Sequence, residues 1–299
     1  MIKDSLNLQG VFPPLATPFR EDGGIAYDLL ESNLVRWGSE PLSGYVVGGS
    51  NGEFTSLTNV ERVSLVRFVS DHVKGARIVI AGSGMPSTQG TIEMGVEMAG
   101  AGASALLVIT PSYFKSKMDH HALVGYFAAV AEASPLPVLL YNVPANTGID
   151  MPAETILAAA RHPRIVGIKD SSGRVDKIGT VVKNAPEGFV VLAGSGGYFL
   201  GALAMGAVGT VAALANIAGA ALSEILEAFQ RGDIGKAQET QLRLIDVNTA
   251  VTARYGVPGL KAAMDMMGYY GGPVRPPLMD LETEPREEIR RLLVEAGLS

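Results

Sequence analysis

Short runs rich in valine, isoleucine and leucine alternate along this chain with longer segments of helical periodicity. Eight such runs occur, at residues 10–14, 44–49, 77–84, 105–111, 137–144, 165–169, 189–194 and 209–216. This composition is typical of parallel strands that are buried on both faces of a sheet. The pattern therefore predicts eight buried parallel strands.

The segments between the runs are predicted to be helices, for example at 58–74, 87–102, 119–134 and 153–161. Thr58 and Glu61 have the spacing of a capping box, and Val60, Leu65 and Val69 supply an apolar face behind it. Strand starts that lie about 20–35 residues apart suit βαβ units. Eight units over about 220 residues predict an α/β fold, a (β/α)8 TIM barrel. A doubly wound sheet is the alternative, but the usual G-x-G-x-x-G after the first strand is missing.

The chain continues past the eighth run with four segments of helical character, at 219–231, 234–255, 258–267 and 284–298. The first would complete the barrel, and the other three exceed what a barrel needs. We therefore expect a catalytic barrel over residues 1–231 and a C-terminal helical extension over 232–299 that packs on it. The G-G-P-V-R-P-P segment at 271–277 predicts an irregular connection within that extension.

Composition narrows the functional classes. Of the 299 residues, 47% are hydrophobic and none is cysteine, so disulfides, thiolate metal sites and a cysteine nucleophile are excluded. The formal net charge of −6 and the lack of a basic cluster argue against a nucleic-acid partner. No apolar run reaches the roughly 18 residues of a membrane span, and the first eight residues lack a signal-peptide core. A cytoplasmic protein is expected.

Histidine chemistry is not indicated by the spacing of the four histidines, His72, His120, His121 and His162. They form no H-x-x-x-H or H-E-x-x-H pattern. We therefore predict neither a histidine metal site nor a Ser-His-Asp triad.

Lys169 ends the sixth apolar run and is the most informative residue in the chain. One interpretation is an ordinary lysine at a strand end that reaches water. The other is a buried amine, since burial disfavours the ammonium form and a neutral amine can attack a carbonyl to give a Schiff base. Barrel active sites lie at the C-terminal ends of the strands, which favours the second interpretation.

Other polar residues follow the strands at the same face. Ser50 and Asn51 lie in a glycine-rich turn after the second run, of a kind that binds carboxylate or phosphate but also occurs as a purely structural turn. Tyr113 follows the fourth run, and Tyr141 lies towards the end of the fifth. Tyr141 is a candidate acid and base, or else an amphipathic aromatic at the barrel rim. The turn at 194–197 has no nearby Lys or Arg, so we expect it to be a tight turn beside the substrate.

These motifs together resemble the pyruvate-dependent class I aldolase family that includes dihydrodipicolinate synthase and N-acetylneuraminate lyase. The resemblance rests on G-G-S-N-G-E at 48–53, T-P-S-Y at 110–113, Y-N-V-P-A-N-T-G at 141–148 and G-I-K-D at 167–170. It implies that Lys169 forms the Schiff base, that Tyr141 transfers protons, and that Ser50 links Tyr141 to Tyr113. It also implies that the second tyrosine comes from a neighbouring subunit of a homotetramer. No metal or organic cofactor is expected.

Within that family the chain departs from the synthase pattern. Dihydrodipicolinate synthases usually carry two threonines in place of Ser50 and Asn51, and an arginine in place of Asn146 that pairs with a substrate carboxylate. A charged hydrogen bond of that kind contributes about 1.5–3 kcal/mol, and Asn146 cannot replace it bidentately.

The remaining motifs resemble the mitochondrial-type 4-hydroxy-2-oxoglutarate aldolases. They include L-A-G-S-G at 192–196, A-L-A-N at 213–216, and the tail segments G-V-P-G-L-K at 256–261 and G-Y-Y-G-G-P at 268–273. This resemblance predicts cleavage of 4-hydroxy-2-oxoglutarate to pyruvate and glyoxylate. The substrate-binding candidates are Ser50, Asn51, Ser171, Gly194, Asn146 and Val211. The alternatives are dihydrodipicolinate synthase, another 2-keto acid aldolase or dehydratase, and a barrel that binds a keto acid without turnover.

Overall fold

A computed structural model describes residues 6–298 of the chain, so the part of the signal-peptide argument that rests on residues 1–5 lies outside it. Eight parallel strands form one sheet in the order β1-β8-β7-β6-β5-β4-β3-β2. The strands are β1 (Gly10–Val11), β2 (Gly44–Val47), β3 (Ile78–Gly82), β4 (Ala105–Ile109), β5 (Val138–Asn142), β6 (Ile165–Asp170), β7 (Val190–Ala193) and β8 (Gly209–Thr210). The predicted (β/α)8 barrel is confirmed.

Backbone hydrogen bonds between the segment that follows β1 and strand β2 close the barrel. Leu15 N–H donates to the Val46 carbonyl at 2.9 Å, and Val46 N–H donates to the Pro13 carbonyl at 3.0 Å. The interior is filled by apolar side chains that include Phe12, Ile80 and Leu192, each fully buried. Burying such a side chain contributes about 1.5–3 kcal/mol. A tightly filled interior gives the strand ends fixed positions.

In the part of the chain that the structure describes, twelve helices cover the barrel and extend beyond it. They are α1 (Tyr27–Gly38), α2 (Asn59–Val73), α3 (Thr88–Gly100), α4 (His120–Ala133), α5 (Pro144–Thr147), α6 (Ala153–Ala159), α7 (Val175–Asn184), α8 (Phe199–Ala204), α9 (Ala215–Gln230), α10 (Ile234–Thr249), α11 (Gly256–Met266) and α12 (Thr283–Glu295). Within residues 6–298, no helix combines the length and hydrophobicity needed to cross a membrane.

Local sequence signals account for several helix ends. The capping box predicted before α2 is present, with Thr58 accepting from Glu61 N–H and the Glu61 carboxylate accepting from Thr58 N–H. The helix predicted over 234–255 is interrupted, because α10 ends at Thr249 and a single π-helical turn, Ala250–Arg254, follows it. Such turns occur often at functional sites.

The eighth strand is shorter than predicted. Strand β8 ends at Thr210, and α9 begins at Ala215, inside the run predicted to be a strand at 209–216. Asn216 explains the change of direction. Its side-chain amide donates to the carbonyls of Pro14 and Ala213, which ties this turn to the chain just after β1.

Strand β6 contains one extra residue relative to β5. Ile165 pairs with Val138, but Leu139 pairs with Gly167, so Val166 forms a bulge. Side chains of a strand alternate between its two faces, and Ile165 packs on the outer, helix-covered face. Without the bulge, strict alternation from Ile165 would place residue 169 on that outer face. The bulge turns Lys169 into the barrel.

Candidate active site

A cavity of about 370 Å³ opens at the C-terminal ends of the strands. Eight of the nine residues predicted for the site line it, namely Ser50, Asn51, Tyr141, Asn146, Lys169, Ser171, Gly194 and Val211, whereas Tyr113 does not.

 Among the described lining residues, Lys169 is the only one with a cationic side chain, and none is acidic. The cavity is therefore a largely neutral, polar chamber built around one amine.

Lys169 and Tyr141 lie side by side because the ladder between β5 and β6 pairs them directly. The Lys169 Nζ atom lies 4.2 Å from the centroid of the Tyr141 ring. The two residues are only 3% and 5% exposed, so the amine is not a surface charge that reaches bulk water. A buried amine beside a phenol can both attack a carbonyl and exchange protons with its neighbour.

Ser50 approaches the same tyrosine from the opposite wall. The Ser50 and Tyr141 hydroxyl oxygens are 3.3 Å apart. Ser50, Asn51 and Gly52 form a single 3₁₀ turn, whose first N–H groups have no partner within the turn itself. Hydroxyl, amide and N–H donors thus converge near Lys169, as a substrate carboxylate would require.

Gly194 and Ser171 directly follow the ends of β7 and β6, where the two strands lie very close together. A methyl group built at Gly194 would lie 2.7 Å from the Cα atom of Ser171, so no larger residue fits there. Gly194 N–H donates to the Asp170 carbonyl at 2.8 Å, which continues the ladder past the strands. Val211, just after β8, is buried and adds an apolar patch to the wall.

Asn146 and Tyr113 lie farther from the amine. Asn146 is exposed on the short helix α5, at the rim of the cavity. Tyr113 is 83% exposed and packs edge-on against Phe114, with ring centroids 5.0 Å apart. A single chain therefore brings Ser50 and Tyr141 together but does not bring Tyr113 to them.

Sequence reasoning missed Tyr198, which lines the cavity next to Gly194. Its hydroxyl donates to the Asp170 carbonyl at 2.6 Å and accepts from Gly194 N–H at 3.2 Å. Burial raises the pKa of Tyr198, and the nearby Asp170 carboxylate raises it further. Tyr198 therefore stays protonated and bridges the ends of β6 and β7. Its only sequence signal was its position four residues after Gly194.

The C-terminal extension also reaches the cavity, which the sequence did not reveal. Val251, Thr252 and Ala253 of the π-helical turn line the wall, together with Gly256 and Val257 at the start of α11. The signal that could have found them is the G-V-P-G-L-K tail segment, which supported the family resemblance but was given no role in the site.

A charge cluster lies behind β6, on the outer face of the barrel. Asp170 accepts from the Asn142 side chain at 2.8 Å and lies 3.6 Å from Lys177 Nζ. Lys177 also pairs with Asp150, whose pKa is lowered by that contact and by Asn142 in spite of its partial burial. These contacts brace β5 against β6 at the level of the Lys169–Tyr141 pair.

An eight-stranded barrel with a buried lysine at the end of its sixth strand has the architecture of a class I aldolase, a pyruvate-dependent carbon–carbon lyase. The chain belongs to the dihydrodipicolinate synthetase family, whose profile matches residues 7–296. The family resemblance predicted from the motifs is confirmed, and so is the assignment as a carbon–carbon lyase.

Curated relatives and solved structures agree over nearly the whole chain. The chain is 34% identical over 293 residues to a 4-hydroxy-tetrahydrodipicolinate synthase of Methanopyrus kandleri, covering 97% of each protein. It is 38% identical over 288 residues to the protein of the same name from Symbiobacterium thermophilum, covering 95% of this chain and 96% of that protein.

Among solved structures, the chain resembles a dihydrodipicolinate synthase from Acinetobacter baumannii complexed with pyruvate. The TM-score is 0.93 at 29% identity, with 98% of this chain and all of that chain covered. These names correspond to the alternative activity considered from the sequence, and none of them names 4-hydroxy-2-oxoglutarate cleavage.

Proposed function

We propose that this lyase cleaves 4-hydroxy-2-oxoglutarate to pyruvate and glyoxylate. The observation that carries the proposal is the neutral rim of the cavity, where Asn146 stands in place of the arginine expected of a synthase. No arginine is present among the described lining residues. The family and its lyase chemistry do not depend on this choice of substrate.

The first step is imine formation. The Lys169 amine attacks the C2 ketone, and loss of water gives a protonated imine. Tyr141 lies close enough to Lys169 to supply and remove the protons that carbinolamine formation and dehydration require.

Carbon–carbon cleavage follows from the imine. Tyr141 removes the proton of the C4 hydroxyl, the C3–C4 bond breaks, and its electron pair passes to the imine to give an enamine. Glyoxylate leaves with the new carbonyl. Protonation of the enamine at C3 and hydrolysis of the resulting imine release pyruvate and restore Lys169. Ser50, 3.3 Å from the Tyr141 hydroxyl, passes protons to and from the phenol.

The positions of the carboxylates distinguish the two substrates. In glyoxylate, the carboxylate is bonded directly to the aldehyde carbon, so it stays near Lys169 and within the ring of serine and asparagine donors. In aspartate semialdehyde, the carboxylate lies three bonds from the aldehyde carbon and would extend to the rim. An uncharged, exposed Asn146 provides no bidentate partner there.

The second candidate is 4-hydroxy-tetrahydrodipicolinate synthase, which condenses pyruvate with aspartate semialdehyde. It is supported by the names of the relatives at 34% and 38% identity, and these comparisons favour it over the cleavage reaction. Both reactions use the same pyruvate enamine and differ only in the aldehyde that meets it.

Two assays on the purified protein separate the candidates. Pyruvate release from 4-hydroxy-2-oxoglutarate and pyruvate consumption with aspartate semialdehyde are measured side by side as kcat/KM. We expect cleavage to exceed condensation by at least about 100-fold, roughly the 2.7 kcal/mol of one charged hydrogen bond. A larger kcat/KM for condensation would establish the synthase instead. Borohydride trapping with pyruvate, followed by peptide mass spectrometry, tests Lys169 in either case.

The Asn146→Arg variant sharpens the assignment. We expect it to raise kcat/KM for aspartate semialdehyde by about 10-fold, since it restores a charged partner for the distal carboxylate. Cleavage of 4-hydroxy-2-oxoglutarate should change less than about threefold, because its carboxylates lie nearer the amine. Asn146→Gln is the control for side-chain length without charge. An equal effect of Arg and Gln on both substrates would contradict the role given to position 146.

We further propose a cytoplasmic homotetramer in which Tyr113 completes the site of a neighbouring subunit. Its support is the exposed aromatic pair of Tyr113 and Phe114, which one chain leaves uncovered. Light scattering measures the assembly. Mixed oligomers of Tyr113→Phe and Lys169→Arg chains should regain activity that neither variant has alone, and failure to regain it would place Tyr113 outside the reaction.

A further inference from the structure

Glu53 follows the substrate-binding turn directly and is almost completely buried, with 2% exposure. Its backbone is left-handed, with φ at +55°, a conformation that costs a non-glycine residue about 1–2 kcal/mol. A strained residue persists only when its surroundings hold it. The contacts of its carboxylate show what holds it.

Both carboxylate oxygens of Glu53 contact the C-terminal extension. Oε1 lies 2.6 Å from Lys261 Nζ, and Oε2 accepts from Arg275 N–H at 2.9 Å. Lys261, on α11, is only 1% exposed and also donates to the Pro273 carbonyl at 2.7 Å. Its Nζ atom lies 4.4 Å from the centroid of the Phe19 ring.

Such a pair is a poor source of stability. Removing two charges from water costs several kcal/mol, and a well-packed apolar pair of similar volume often stabilises a protein as well or better. Burial indeed lowers the pKa of Lys261, although the neighbouring Glu53 acts in the opposite direction. What a buried ion pair supplies is a defined geometry.

That geometry is transmitted to Ser50 through a very short piece of backbone. Glu53 N–H donates to the Ser50 carbonyl at 3.1 Å, which closes the 3₁₀ turn. Gly52 is fixed from the other side, since its carbonyl accepts from the Thr17 hydroxyl at 2.7 Å. The Ser50 to Tyr141 distance of 3.3 Å is already long for a hydroxyl pair, so a shift of about half an ångström would break it.

We infer that Glu53 and Lys261 are positioning residues that hold Ser50 within reach of Tyr141. The C-terminal extension thereby sets the geometry of proton transfer while its ion pair stays out of contact with the substrate cavity. The inference rests on the proposed roles of Lys169, Tyr141 and Ser50, but not on which aldehyde the enzyme uses.

The test uses pyruvate alone, which avoids the question of the second substrate. Borohydride trapping counts the sites that form the imine, and loss of the pyruvate methyl proton signal in D₂O measures proton transfer at C3. The variants are Glu53→Gln, Lys261→Met and the double variant. Dividing the exchange rate at saturating pyruvate by the trapped fraction removes any loss of folded protein from the comparison.

We expect each single variant to form the imine to within about twofold of wild type but to exchange protons about 10-fold more slowly per trapped site. The pyruvate KM should change less than the rate constant. Because the two residues act as one unit, the double variant should be no slower than the slower single variant. Glu53→Gln is nearly isosteric, and it decides the question alone if Lys261→Met does not fold.

Glu295→Gln is the matched control. It removes an exposed ion pair with Arg291 on α12 of the same extension, and neither residue lines the cavity. It should leave exchange per trapped site unchanged. Unchanged exchange in Glu53→Gln as well would overturn the inference. Failure of the wild-type enzyme to trap pyruvate would instead overturn the role of Lys169, so the two failures are distinguishable.

Discussion

The two walls of the cavity are held in place by different means. On one side, Lys169 and Tyr141 lie within neighbouring strands and are fixed by the β5–β6 ladder. On the other, Ser50 and Asn51 lie on a short turn whose position depends on Thr17, Glu53, and the C-terminal residues that contact Glu53. Backbone hydrogen bonds place Lys169 and Tyr141, whereas side-chain contacts place the turn.

Because they are held differently, the two walls should respond differently to substitution. The ladder cannot shift by less than a whole register, so the amine and the phenol have one relative position. A turn held by side chains can be moved by single substitutions on a distant segment. Substitutions on the strand side should therefore abolish the reaction, whereas those on the turn side should lower its rate by intermediate amounts.

The largest effect is expected from Lys169→Arg on the strand side. Arginine keeps the charge but cannot act as the amine nucleophile, so kcat/KM should fall by about 10⁴-fold or more. Borohydride should no longer trap pyruvate on the protein. The melting temperature should stay close to that of wild type, and residual trapping at another lysine would mean that the nucleophile is misassigned.

A smaller but still substantial effect is expected from Gly194→Ala, where β6 and β7 converge. The added methyl would lie 2.7 Å from the Ser171 Cα atom and would force the strand ends apart. Overpacking of this kind costs about 1–3 kcal/mol, so the free energy of unfolding should drop by that amount and kcat/KM by about 10- to 100-fold. Gly197→Ala, which meets only the Asn248 and Ser195 side chains, is the control. Equal losses in the two variants would argue against a special role for the close approach at Gly194.

The smallest effect concerns acid stability on the turn side. Arg275 holds the pKa of Glu61 at about 2, with further lowering from the Thr58 cap. Since the folded pKa lies below the usual 4.5, this pair stabilises the protein above pH 4.5 and loses its effect as the pH falls towards 2. Glu61→Gln keeps the capping pattern and should lower the free energy of unfolding by about 1–2 kcal/mol at pH 7, after allowance for solvent screening.

That difference should vanish near pH 2 in urea-unfolding experiments. The exposed pair Arg291–Glu295 provides the comparison, and Glu295→Gln should change stability by less than about 0.5 kcal/mol at either pH. If the effect of Glu61→Gln does not depend on pH, the pair with Arg275 stabilises the protein through packing and not through charge.

Strand count, barrel fold and the position of Lys169 at the barrel mouth could be predicted because each depends on local patterns. Apolar runs give strands, and the rule that barrel sites lie at the strand ends directs attention to Lys169. The contact between Glu53 and Lys261 joins residues 208 positions apart, and no local pattern signals it. Tyr198 was missed for a similar reason, since its partners are the backbone atoms of a neighbouring strand end. Strand β8 was overextended because an alanine-rich run suits a helix as well as a strand.

The extra residue at Val166 has a consequence for how this barrel tolerates change. Side chains along β6 alternate between the lumen and the helix-covered face. The number of residues between the bulge and Lys169 therefore decides on which of the two faces its amine lies. Deleting the bulged Val166 would give a regular strand in which Gly167 follows Ile165, and Lys169 would still face the lumen beside Tyr141. Deleting or inserting one residue between Gly167 and Lys169 would instead turn the amine towards the helices. By contrast, an insertion in the surface segment after Ser172 would leave that alternation intact. Changes of length are therefore permitted at the bulge or downstream of Lys169, but not in the regular part of β6 between them.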